Sequence, residues 1–229
     1  MFDLQGYGPL LLQGAKLTLA VGLGAMFIAM IIGLGASLCK LSGIGILQNI
    51  AGIYTTVIRG IPELVLILLV YYGAPTLIQD IMLMFGSDIY VNVNPFFAGT
   101  LTIGFIYGAF TTEVFRGAFQ SVPKGQIEAA SAYGMNKVLA FRRVILPQMW
   151  RFAIPGLGNV WMVLIKATAL ISVIQLPELM RNSDIAARSS GKPFTFYFVA
   201  SLIYLFITIF SIGFQQWAEK RANRGVKSI

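Results

Sequence analysis

Residues 17–38 read LTLAVGLGAMFIAMIIGLGASL, 22 residues without a charge. At about 1.5 Å of rise per residue the run makes a helix of about 33 Å, enough to cross a hydrocarbon core of about 30 Å. Four further runs follow the same logic. Between Leu41 and Gln79 the only charges are Arg59 and Glu63, so a span is expected from about Ile50 to about Leu77, after a turn at Gly43, Gly45 and Asn49. Ile89–Thr112 gives a third, Phe152–Pro177 a fourth interrupted only by Lys166, and Pro193–Ala218 a fifth. The fold class is therefore all-α: a polytopic membrane protein with five transmembrane helices in one domain over residues 1–229. A signal peptide would begin basic and carry a shorter apolar run; here Asp3 is the only charge before Lys16, so the first span is expected to be retained.

Composition agrees with the spans. The 229 residues are 57% hydrophobic and 11% charged, against about a quarter charged in an average soluble domain. With a mean hydropathy of +0.77 there are too few polar side chains to coat a soluble globule. Seventeen Lys and Arg stand against nine Asp and Glu. With the amino terminus outside, eleven of these cations fall on the inner side: Lys40, Arg116, Lys124, Lys137, Arg142, Arg143, Arg151, Lys220, Arg221, Arg224 and Lys227. Lys16, Arg181, Arg188 and Lys192 fall outside. The excess is the positive-inside bias, and it reads as topology and contact with membrane lipid, with no nucleic acid as partner.

Several chemistries are excluded. There is no His and a single cysteine, Cys39, so neither an internal disulfide nor a metal or haem site is expected, and no cofactor. Ser and Thr lack a His base for a hydrolytic triad. No phosphate-binding G-x-x-x-x-G-K-[ST] loop exists, since the one Gly-Lys pair, Gly191-Lys192, runs into Pro193. Leu41-Ser42-Gly43-Ile44-Gly45 reads as a turn and not as a nucleotide signature. The chain is expected to be no enzyme.

The loop from about 116 to 151 is patterned as two short helices. Pro123 suits a first helical turn, residues 126–133 are mostly good helix formers, and Gly134 ends the helix. A second helix is expected from Lys137 to Leu146, closed by Pro147. Ala129 and Ala130 give a small, flat face for another protein's backbone, and Glu128 gives a docking charge. At this point a resemblance becomes specific. Glu128-Ala129-Ala130, three residues, Gly134, nine residues, Val144, one residue, then Leu146-Pro147 resembles the EAA motif of bacterial ABC importer permeases, with Val144 where that family usually has Ile. Residues 59–65 (RGIPELV), 105–109 (FIYGA), 113–119 (EVFRGAF) and 122–125 (VPKG) resemble the polar amino acid permeases, and most of all the Q-type subunits of histidine, lysine, arginine and ornithine importers and of opine importers.

The resemblance, from about Leu11 to Lys227, implies the type I ABC importer permease fold with cytoplasmic coupling helices, in the bacterial inner membrane. It implies a related second permease as partner, two ATP-binding subunits that hydrolyse the ATP, a periplasmic amino acid binding protein, and an amino acid as substrate. Ionisable groups in spans are costly, so Arg59, Glu63, Glu113 and Lys166 are candidates for the substrate path. Glu63 follows Pro62, which with Gly60 loosens the span. Its carboxylate would meet a cationic side chain while loosened backbone N–H groups meet the α-carboxylate. The alternatives are structural: Arg59 and Glu63 neutralise one another, Glu113 pairs with Arg116, and Lys166 braces its span. Two other functions compete: a self-sufficient secondary carrier or channel, against which the lack of an internal repeat argues, and an ABC permease for neutral polar amino acids such as glutamine.

Overall fold

The computed structural model describes residues 4–86 and 92–224. Among these, the chain forms α1 (Gly8–Leu41), α2 (Gly45–Gly60), α3 (Glu63–Met84), α4 (Pro95–Gln120), α5 (Lys124–Ala132), α6 (Lys137–Ile174), α7 (Leu179–Ser190) and α8 (Pro193–Ala222). Helices α1, α3, α6 and α8 are long and apolar enough to cross a membrane. The fifth long helix, α4, has 26 residues and sits at the centre of the bundle, where Gly99, Gly104 and Gly108 and the side chains of its threonines are buried among the others.

Small residues let α1 and α4 lie almost backbone to backbone. Lipid tails are as apolar as Leu, so helices in a membrane are held by close packing and interhelical hydrogen bonds. Gly104 lies against Ile28 and the carbonyl of Ala25, Gly108 against Ile32, and Gly33 against Thr111, whose hydroxyl donates to the carbonyl of Ala29 at 2.6 Å. A side chain at Gly33 would collide with Thr111. Around this seam Ile103, Ile106 and Phe115 of α4 pack with Leu164, Ile171 and Ile174 of α6 and with Leu66 and Ile67 of α3. A smaller cluster joins Leu11 of α1 to Leu179 and Ala186 of α7 and Phe196 of α8.

Two expectations are corrected. The second span, expected as one helix from Ile50 to Leu77, is broken at Ile61 and Pro62, both in extended conformation. Proline has no N–H to give and disfavours helix at the residue before it, so α2 stops at Gly60 and the spanning helix is α3. Nor does Pro147 close a helix. Residues Phe141–Ile145 widen into a π-turn and the helix runs on, so the second half of the loop is the first part of α6. The same device precedes Pro75, where Leu69–Gly73 form a π-turn. In both places the five-residue turn ends two positions before the proline, which lacks the N–H that a regular helical turn would use. The start of the third span at Ile89, with Asp3 and Lys227, lies outside the described residues; α4 begins at Pro95, where the Asn94 side chain accepts from the N–H of Phe96 at 2.9 Å.

Candidate functional site

The loop between α4 and α6 builds one candidate surface. Helix α5 ends at Gly134, whose φ of +76° is left-handed backbone that a Cβ disfavours. The N–H groups of Tyr133 and Met135 close the turn on the carbonyls of Ala129 and Ala130, and the Asn136 side chain then accepts from Leu139 N–H at 2.9 Å to start α6. Glu128 and Ala129 are exposed, as are Tyr133 and Val138, while Ala130 is buried beneath them. The pair of alanines thus divides: Ala129 lies on the surface and Ala130 packs inward. Val144 and Leu146 are half-buried in and just after the π-turn, and Pro147 is exposed. Helix α6 is continuous from Lys137 into the bundle.

The helix break before α3 builds a second. A cavity of ≈360 Å³ is lined by Ile58, Arg59, Gly60, Ile61, Pro62, Glu63 and Phe110. Arg59 and Glu63 form no ion pair among the described residues. The Arg59 guanidinium lies over the Phe110 ring, 5.2 Å from its centroid. Glu63 accepts a hydrogen bond from the buried Tyr107 hydroxyl at 2.9 Å. Tyr107 and Phe110 stack on one another at 5.4 Å. Neither was singled out as a partner of these charges from sequence, although a tyrosine within an apolar span carries a hydroxyl that must find a mate there.

The other two candidates stand apart. Glu113 bonds Lys40 Nζ at 2.6 Å through one oxygen and Arg116 Nε at 2.8 Å through the other, and Lys40 also donates to Thr55 at 2.6 Å. The carboxylate therefore ties α1, α2 and α4 together near the inner end expected from the charge count. Lys166 is exposed on α6, with no ion pair among the described residues. A larger groove of ≈630 Å³ between α1, α6 and α8, lined by residues such as Leu23, Trp161 and Phe210 and by no charged side chain, has the character of a lipid-facing surface.

A further buried acid escaped the sequence reading. Glu178 caps α7, accepting from the N–H groups of Met180 at 2.8 Å and Arg181 at 2.7 Å. The hydroxyls of Thr18 and Tyr204 approach it at 3.4 Å. Burial pushes its carboxyl up to about 7, against the downward pull of those N–H donors. The available signal was an acidic residue directly ahead of a helix, after Pro177.

An all-helical bundle among the described residues, with four helices long and apolar enough to cross a membrane, is the architecture of a polytopic membrane component. The chain belongs to the family described as binding-protein-dependent transport system inner membrane component, which matches residues 25–224. It is 44% identical over 224 residues to the histidine/lysine/arginine/ornithine transport system permease protein HisQ of Salmonella typhimurium, covering 98% of each chain. It is 42% identical over 226 residues to the octopine transport system permease protein OccQ of Rhizobium radiobacter, covering 99% of this chain and 95% of that one. A crystal structure of an amino acid ABC transporter with histidines superposes with a TM-score of 0.80 at 33% identity, covering 94% of this chain and 95% of that chain. The MetNI methionine ABC transporter, at 19% identity and a TM-score of 0.71, shares the fold. The type I importer permease fold expected from the sequence is thus the fold observed, and the chain is a non-catalytic inner-membrane component.

Proposed function

We propose that the chain is the Q-type permease subunit of an ATP-driven importer of basic or related polar amino acids. Its amino terminus is periplasmic and its carboxyl terminus cytoplasmic. It pairs with a second, related permease, two ATP-binding subunits and a periplasmic binding protein. One observation carries the reading: the exposed Glu128–Ala129 surface turns tightly at Gly134 into a helix that is continuous from Lys137 and long and apolar enough to span a membrane. Such a piece transmits work that another subunit performs. Glu128, Ala129, Ala130, Gly134, Val144, Leu146 and Pro147 form the coupling element. Arg59 and Glu63 border the substrate path, with Lys166 exposed on its span, while Glu113 braces the inner end. A ligand shifts only an equilibrium between states that it binds differently, so ATP at the partner subunits drives the alternation of access by favouring one shape of this coupling surface.

The test is co-purification of the partner subunits, followed by reconstitution and measurement of radiolabelled L-arginine, L-histidine and L-glutamine uptake. Uptake that requires ATP, the partners and the binding protein is expected. Uptake by the purified chain alone, without ATP, would instead establish a secondary carrier.

A further inference from the structure

Helices α6 and α8 lie antiparallel in a register set by two side-chain contacts. The Trp161 indole N–H donates to the Ser211 hydroxyl at 2.9 Å, and the Gln215 amide donates to the carbonyl of Pro155 at 3.4 Å. Carried one turn further, that register sets Arg151 of α6 opposite Arg221 of α8. Arg151 stands three positions before Ile154 and Arg221 three after Ala218, and both Ile154 and Ala218 line the groove of ≈630 Å³ that the two helices form with α1. Positions three apart share a helical face, so both guanidinium groups border one end of that groove. Neither has an ion pair or hydrogen bond among the described residues. Arg151 lies over the Phe152 ring at 4.8 Å and Arg221 over the Trp217 ring at 6.0 Å. The nearby acid, Glu219, accepts from the Gln215 amide at 2.8 Å, and Arg224 adds a third cation at this end. The rest of the groove is apolar, with Leu23, Phe206, Phe210 and Phe214 exposed along it. From Phe206 to Ala218 it follows α8 for about 18 Å, against about 15 Å for one leaflet of a hydrocarbon core.

We propose that this groove binds one anionic phospholipid, whose acyl chains lie along α1, α6 and α8 while Arg151 and Arg221 hold its phosphate. Charge complementarity selects the occupant. Basic residues where spanning helices reach the membrane surface attract anionic head groups, and guanidinium groups pair with phosphate oxygens through parallel N–H donors. A zwitterionic lipid brings no net charge to offset the pair, and a free anion leaves the apolar length empty. A helix of another subunit, about 10 Å across, fills about 1,400 Å³ over that length, more than twice the groove, and an apolar one leaves both guanidinium groups unpaired. The polar side chains that line the groove, Trp161, Ser211 and Gln215, are already bonded to protein, so nothing in it calls for a polar solute. The site needs only that α6 and α8 cross a membrane, so it stands apart from whichever solute the chain helps to carry.

The assembly that co-purifies with this chain is placed in phosphatidylcholine nanodiscs carrying a small share of phosphatidylglycerol with a photoactivatable acyl chain, and crosslinked peptides are mapped by mass spectrometry. Crosslinks at Leu23, Phe210 and Phe214 are expected, at least fivefold above those from photoactivatable phosphatidylcholine at the same share. Arg221→Gln, at an exposed position, should cut that labelling at least threefold, and the double variant with Arg151→Gln should abolish the preference between the lipids. Lys124→Gln with Lys137→Gln removes the same charge from the loop and should leave the preference intact. Equal labelling by the two lipids overturns the proposal. So does labelling that survives the arginine double variant, or that falls as far in the lysine pair, since general surface charge then explains it. Crosslinks that seat another protein subunit in the groove overturn it as well. The comparison of the two lipids needs no variant, so it stands even where a substitution prevents assembly.

Discussion

Glu178 shows how one residue stores a pH response. Its carboxyl titrates near 7 in the fold because burial disfavours the charge, whereas the unfolded chain titrates at about 4.3. Between those values the folded state binds more protons than the unfolded one, so stability is greatest below the unfolded value and declines as pH rises through 7. We expect the thermal stability of the detergent-solubilised protein to fall between pH 5.5 and 7.5, by at most about 1.4 kcal/mol per pH unit from this group. Glu178→Gln, which still presents an oxygen to the Met180 and Arg181 N–H groups, should flatten that slope; an unchanged slope in the variant would rule Glu178 out as its source. At this scale the sequence was informative about which charges matter and silent about their partners. Arg59, Glu63, Glu113 and Lys166 stood out because charges are rare in apolar runs. That Lys40 would meet Glu113, 73 residues away, required the packing of α1 on α4, which no local pattern encodes.

The elements show why spans were legible and their interruptions were not. The four helices long enough to span each overlap one of the expected apolar runs, because length and apolarity act locally. Pro147 was read as a stop and Pro62 as a loosening, yet the helix breaks at Pro62 and runs on through Pro147. Pro75 and Pro147 are carried within longer helices by π-turns over Leu69–Gly73 and Phe141–Ile145. The seam between α1 and α4 pairs small residues far apart in the chain, which no local pattern encodes. Gly33→Val should lower stability by about 1–3 kcal/mol through overpacking against Thr111. Gly35→Val, two residues on with open space around it, is the matched control. A thermal melt in detergent separates the two. Equal melting temperatures would mean that the seam tolerates a side chain and is not the close contact seen here.

Across the whole molecule, the proposed coupling surface and the helix break are joined through one packed core. Helix α6 runs from the loop at Lys137 into the same core as Leu66 and Ile67 of α3, which begins at the break. On the proposed function, movement of the loop would reach the cavity through these packed helices. Gly134 is the joint on which this depends, and a bulky residue there must adopt left-handed backbone at a cost of about 1–2 kcal/mol or reshape the turn. The deciding measurement is paired ATP hydrolysis and amino acid uptake by the reconstituted assembly carrying Gly134→Trp. The variant is predicted to assemble in the membrane and hydrolyse ATP while uptake falls at least tenfold. Uptake per ATP equal to that of the unmodified assembly would contradict the transmission of work through this loop.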